Sequence, residues 1–205
     1  MTANKIISIL VVIIFIAGVI YFISRDNSKV AIPQKEGSIV AFGDSLVAGA
    51  GATEGMNWVD ILSRDIGEEI INAGVNGDTT QSALARLDRD VLAYDPRIVI
   101  VLLGGNDVLR NVAKEQTLNN LKSIITRIQA EGAAVVLVSI PGALLDPYDD
   151  DYKDLAQETG AAFVPNVLNN ILRDRRLMYD SIHPNDAGNE IMAERIGDKL
   201  EDLLE

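Results

Sequence analysis

The 205-residue chain has no cysteine and a single histidine, His183. Without cysteine there can be neither a disulfide framework nor a thiolate metal site. With only one imidazole, any metal site would have to be built from oxygen ligands. Basic residues are also scarce: 18 Lys and Arg stand against 30 Asp and Glu, for a net charge of −12. Residues 1–37 hold Lys5, Arg25, Lys29 and Lys35 but only Asp26 and Glu36, which leaves the remainder near −14. Such a surface repels phosphate backbones and argues against a nucleic-acid partner. Internal repeats and low-complexity stretches are missing too. About half of the residues are apolar, which suits one core-forming domain with an appendage.

The appendage is a long apolar run, Ile6 to Ile23, with no charge inside it. As a helix it would extend roughly 27 Å, close to the hydrocarbon thickness of a bilayer. A cleaved secretory signal and a retained single span compete for it. The length of the run and the lack of a small-residue cleavage site favour an uncleaved anchor over residues 1–24. A buried soluble helix is the remaining alternative, since the run is apolar on every face. Lys and Arg in the following flank lean toward a cytoplasmic domain. The short tail and signal-like start lean the other way, and an extracytoplasmic domain is the expectation. Residues 25–37, with Pro33 and Gly37, form a linker. The folded domain spans 38–205, and nothing in it sets an oligomeric state.

Within that domain, β-type and helical patterns alternate. Strands are expected at Ser38–Phe42, Glu69–Asn72, Arg97–Leu103, Ala134–Ile140 and Ala161–Val164. Helices are expected at Asn57–Ile66, Thr79–Leu92, Gln116–Glu131, Tyr148–Thr159 and Pro184–Leu204, most of them stopped by glycine or proline. The unbroken apolar run Ile98–Leu103 marks a central strand covered on both faces. This order predicts a three-layer α/β/α sandwich around a mainly parallel sheet. Sites in such sheets gather at the carboxyl ends of the strands. Loops at Gly43–Gly51, Ala73–Thr80 and Gly104–Asp107 follow strands, and Asp180–Asn185 precedes the last helix.

Each loop carries residues with possible chemistry. Ser45, in Gly43-Asp44-Ser45-Leu46, is a nucleophile only if a base takes its proton, and most such serines are turn or cap residues. Asp44 is read as fixing the turn with its side chain. The sole histidine lies 138 residues on, in Asp180-Ser181-Ile182-His183-Pro184, where Asp180 could set its tautomer. A capping aspartate beside a surface histidine is the competing reading, and Pro184 suits a first helical position. Gly104-Gly105-Asn106-Asp107 and Asn72–Thr80 are turn signals that could also aim an Asn106 amide and backbone N–H groups at a developing oxyanion. Asp149-Asp150-Asp151 is read as a solvated helix start rather than a cation site.

Together the four stretches resemble the blocks of the SGNH/GDSL hydrolase family, over essentially all of residues 38–205. Asn76-Gly77-Asp78-Thr79, Ala85-Arg86-Leu87 and Leu103–Arg110 are most similar to its bacterial thioesterase/lysophospholipase and arylesterase branch. The resemblance implies a cofactor-free hydrolase with Ser45 as nucleophile, His183 as base and Asp180 as its partner. It also implies oxyanion donors at the Ser45 N–H, the Gly77 N–H (Gly74 being the alternative) and the Asn106 side chain. The expected substrate is a small-molecule or lipid ester or thioester. Val108, Leu109, Val112, Ala143, Leu144 and Leu145 are candidates for an acyl groove, with ordinary loop packing as the competing reading. A deacetylase or acyltransferase on envelope polysaccharide and a tethered, non-catalytic ligand-binding domain are the rivals.

Overall fold

Every residue from Ile39 to Phe42 is fully buried, and so is every one from Ile98 to Leu103. Such runs fit only strands covered on both faces. In the computed structural model, which describes residues 30–140 and 148–204, these runs form the centre of a five-stranded parallel sheet. The strands are β1 (Ser38–Gly43), β2 (Ile70–Gly74), β3 (Pro96–Leu102), β4 (Ala134–Val138) and β5 (Ala162–Val164), in the order β2-β1-β3-β4-β5. The helices are α1 (Ser45–Ala48), α2 (Trp58–Ile66), α3 (Thr80–Asp90), α4 (Gly105–Leu109), α5 (Lys114–Ala130), α6 (Tyr148–Thr159) and α7 (Asp186–Leu204).

Strand side chains alternate between two cores, as a period of two requires. Ile39, Ile98, Ile100 and Val136 pack with Trp58 and Leu62 of α2 and with Met192, Ile196 and Leu200 of α7. Val40, Phe42, Val99, Val101 and Leu137 pack with Leu87 of α3, with Leu121 and Ile125 of α5, and with Leu155 of α6. Two helical layers therefore enclose the sheet, as the alternation of patterns predicts. Each fully buried aliphatic side chain contributes roughly 1.5–3 kcal/mol.

The register determines where the loops open. Gly43 pairs with Gly74 of β2 on one side and with Leu102 of β3 on the other, so the loops after β1, β2 and β3 emerge at one edge. The strand order reverses between β1 and β3, and crevices for ligands form at such a switch point.

Helix ends follow local chemistry. Asn57 caps α2 by accepting the Asp60 N–H, and Gly67 closes it with φ of 69°. Thr79 and Ser82 form a reciprocal capping box on α3. Some expectations shift. Gly104–Asp107 reads as a turn in the sequence, but Gly105–Leu109 forms a short helix. The last helix starts at Asp186 rather than Pro184, because Pro184 is held in an antiparallel bridge with Met178. Asn185 then accepts the Gly188 N–H and opens α7. Among the described residues no helix is long and apolar enough to cross a membrane. The expected anchor at residues 6–23 and the candidate groove residues Ala143, Leu144 and Leu145 lie outside the described residues.

Candidate active site

Ser45 is the first residue of α1, directly after the end of β1. Asp44 is the cap of that helix, and its Oδ1 accepts the Leu46 N–H at 3.0 Å. The helix is short, so other elements hold it. The buried Trp58 indole donates to the Leu46 carbonyl at 2.8 Å, which ties α1 to α2. Gly74 lies so close beneath α1 that a Cβ there would stand 2.2 Å from the Ala48 nitrogen. Only glycine fits at that approach.

His183 reaches Ser45 from the far end of the chain. Its Nε2 lies 3.0 Å from Ser45 Oγ, and its Nδ1 lies 2.8 Å from Asp180 Oδ2. The other Asp180 oxygen accepts the N–H groups of Ile182 and His183, both at 2.8 Å. Hydrogen bonds from the His183 ring and then from the Ile182 N–H pull the Asp180 carboxyl down to about 2. A carboxylate at Nδ1 places the ring proton there and leaves Nε2 to accept from the serine hydroxyl. The loop carrying this pair folds back on itself, with the Tyr179 N–H donating to the His183 carbonyl at 2.9 Å. The histidine is therefore presented by a tight loop and not by a helix start.

Asn106 comes from α4, after β3. Gly104 makes this turn with φ of 111°, and a Cβ there would meet Tyr152 Oη at 2.1 Å. Asn106 Nδ2 donates to Asp44 Oδ2 at 3.0 Å. Its neighbour Asp107 is fully buried and accepts the Thr80 N–H at 2.8 Å and the Thr80 hydroxyl at 2.5 Å. That carboxylate locks α4 to the start of α3, a role the sequence reading missed. Asp44 is also nearly fully buried, and burial pushes its carboxyl up to about 6 against the lowering pull of Leu46, Asn106 and His183.

The two candidate glycine donors are placed differently. The Gly74 N–H already donates to Asn72 Oδ1 at 3.0 Å. Gly77 has φ of 76°, and its carbonyl accepts from Arg110. Neither lines the pocket that contains Ser45, Asn106 and His183. Their loop is fixed by Arg86, which bonds Asp78 at 2.6 Å and the Gly43 carbonyl at 3.0 Å while lying 4.5 Å over the Phe42 ring. Arg86 shares a helix face with the buried Ala83 and Leu87, a spacing that would have marked it as inward-facing.

Around these polar groups the pocket wall is apolar: Leu46, Leu109, Ile140, Leu168, Leu172 and Ile182. Of the expected groove residues within the described segments, Leu109 lines it and Val108 and Val112 do not. Leu109 is one helical turn beyond Asn106, so α4 turns both toward the same space. Leu168 and Leu172 come from the turn segment after β5, where with Val167 and Ile171 they repeat at helical spacing, a signal in the sequence that marks them as inward-facing. Asp149, Asp150 and Asp151 occupy the first turn of α6, where Asp149 bonds Asn166 and Asp151 pairs with Lys114.

The chain is 31% identical over 179 residues to Esterase TesA of Pseudomonas aeruginosa, covering 82% of this chain and 89% of that protein. It is 30% identical over 176 residues to Thioesterase 1/protease 1/lysophospholipase L1 of Escherichia coli strain K12, covering 82% and 85%. Among solved structures, a crystal structure of TesA superposes with a TM-score of 0.75 at 32% identity, covering 81% of this chain and 99% of that one. Residues 41–191, from β1 into α7, match the GDSL-like lipase/acylhydrolase family. On that match, and on relatives that share most of its length, the chain belongs to the GDSL-like lipase/acylhydrolase family.

Proposed function

We propose that the protein is a serine hydrolase of carboxylic esters or thioesters, working through Ser45, His183 and Asp180 and an acyl-enzyme. The observation that carries this reading is the Ser45 Oγ to His183 Nε2 distance of 3.0 Å in an apolar-walled pocket. His183 takes the Ser45 proton as Oγ attacks the acyl carbon. The tetrahedral oxyanion is held by the Ser45 N–H and the Asn106 amide, both in the pocket wall, and by the Gly77 N–H, which has to reach it from the adjoining loop. The first-turn N–H of Ser45 has no acceptor within its helix. Gly77 is preferred over Gly74 because the Gly74 N–H is already engaged. The proton on Nε2 then goes to the leaving alcohol or thiol. Water attacks the acyl-enzyme, giving its proton to Nε2, and Ser45 is regenerated as the acid leaves.

The apolar wall favours an acyl group with several methylenes, each worth about 0.8 kcal/mol when buried. The relatives named as an esterase and as a thioesterase/lysophospholipase support this class. The test is covalent labelling of the full chain with a fluorophosphonate, followed by turnover of a chain-length series of nitrophenyl esters and acyl-CoAs. Labelling at Ser45, its loss in Ser45→Ala and His183→Ala, and faster turnover of longer acyl groups than of acetyl are expected. A folded wild type that does not label would overturn the reading. Equal turnover of acetyl and longer chains would overturn the acyl assignment and favour a deacetylase.

A further inference from the structure

The hydrogen bonds of Asp44 exceed what a turn-fixing residue needs. Capping α1 takes one acceptor oxygen, and Ser, Thr or Asn could supply it as well as Asp. Here both carboxylate oxygens are used, one on the Leu46 N–H and one on Asn106 Nδ2, each at 3.0 Å. An ionised carboxyl is the one side chain of this size that offers an acceptor at both places. An asparagine would turn a donor toward one of them. The protein keeps a carboxyl here although burial pushes its pKa up to about 6, so at neutral pH it is mostly ionised and acceptor-only. The two bonds join separate parts of the chain. One holds the turn that carries Ser45, and the other holds an amide that arrives on α4 after β3.

We propose that Asp44 is a positioning residue that acts through Asn106, its buried carboxylate fixing which end of the Asn106 amide faces the reacting carbonyl. The proposal rests on the hydrolase reading above. With one Nδ2 hydrogen taken by Asp44, the second remains for the pocket that Ser45 and His183 share. Without the carboxylate, the amide is free to turn its oxygen toward the same space, and that oxygen repels a developing oxyanion. Asp44 thus couples the nucleophile's turn to the oxyanion donor, 62 residues apart in sequence.

The test compares Asp44→Ser, Asp44→Asn, Asn106→Ala and the Asp44→Ser/Asn106→Ala pair in the full chain, using kcat and KM on a nitrophenyl ester together with thermal melting. Asp44→Ser keeps an N-cap oxygen and removes only the Asn106 acceptor, so a purely structural Asp44 predicts a melt and a kcat near wild type. The expected result is a kcat loss of about 10- to 100-fold with KM changed less than about threefold, given that losing one oxyanion donor outright costs about 100-fold or more. In the Asn106→Ala background the same change should cost less than about threefold more, since its target is gone. Asp44→Asn should lose kcat alike; if either single variant fails to fold, the other decides. A folded Asp44→Ser or Asp44→Asn with kcat within about threefold of wild type overturns the proposal, as does a loss that multiplies in full with Asn106→Ala. A wild type that neither labels with fluorophosphonate nor turns over overturns this and the hydrolase reading together. A labelled, active wild type with an equally active Asp44→Ser overturns this one alone.

Discussion

Asp44 adjoins Ser45 and Asp180 bonds His183, and their surroundings are opposite. The Asp44 side chain is 2% exposed, in a layer where the loops after β1 and β3 meet. The Asp180 side chain is 43% exposed, on a loop that supplies its own backbone donors. Burial dominates at the first and pushes the carboxyl up to about 6; hydrogen bonds dominate at the second and pull it down to about 2. The same chemical group is thus charged at a price in stability on one side and held charged almost for nothing on the other. The difference teaches that the side holding His183, the base in the proposed mechanism, is locally assembled, within a few consecutive residues. The side holding Ser45, the proposed nucleophile, depends on the tertiary fold.

The largest expected effect tests the base side. Asp180→Asn should lower kcat by about 10³- to 10⁴-fold, because the wrong histidine tautomer would face Ser45. Its melting temperature should barely move, since so exposed a carboxylate contributes little to stability. Ester turnover and thermal melts on one preparation check both. A loss below tenfold would break the comparison by showing that the exposed carboxylate is dispensable.

Next in size, Asn106→Ala should reduce kcat by about 10²- to 10³-fold with the fold intact, from loss of one oxyanion donor. Steady-state kinetics beside far-UV circular dichroism measure this. Activity within twofold of wild type would remove Asn106 from the oxyanion role.

A smaller effect concerns stability and has the unusual sign. The folded Asp44 carboxyl titrates at about 6 against an ordinary 3.8, so the folded chain holds this proton more tightly than the unfolded one. Stability from this group is therefore highest below pH 3.8 and falls as the pH rises through about 6. The shift corresponds to on the order of 3 kcal/mol at full ionisation. Relative to wild type, Asp44→Asn should accordingly become more stable as the pH rises from 4 to 8, by about 1–3 kcal/mol, whatever its lost hydrogen bond costs at both pH values, even as it loses turnover. The relative gain should disappear as the pH falls toward 4. Urea unfolding at the two pH values tests it; a gain that grows on acidification would reverse the assigned sign.

The smallest effect is spectroscopic. The Asp180 carboxyl, titrated by carbon NMR, should have its midpoint near 2 in the wild type and move back toward 3.8 in His183→Ala, because the His183 ring is the leading cause of the depression. Its sign is the reverse of that at Asp44: the contribution is present above pH 3.8 and is lost as the pH falls toward 2.

The base side was also the more legible in the sequence. A lone histidine three residues after an aspartate is a local pattern, and the apolar run Ile98–Leu103 is another. What could not be read were the contacts made across the sheet edge. Asp107 on Thr80, Arg86 on Gly43 and Asp44 on Asn106 join residues 27, 43 and 62 positions apart. Periodicity reports which face of an element is buried, not which polar group arrives there from elsewhere. Pro184 is a miss of another kind. Its ring suits a helix start, yet the bridge to Met178 claims that backbone first and delays α7 by two residues.

Leu168 has two occupations at once. It walls the pocket, and at 2% exposed it also belongs to the core beneath α7. Leu109, at 51% exposed, walls the same pocket and supports almost nothing else. Trimming Leu168 to widen the pocket would cost about 2–5 kcal/mol, as for any core leucine. Trimming Leu109 would not. On the proposed hydrolase reading, variation in acyl preference is therefore channelled: a lineage or an engineer can explore it through the outer wall, while the inner wall is held in place by the need to stay folded.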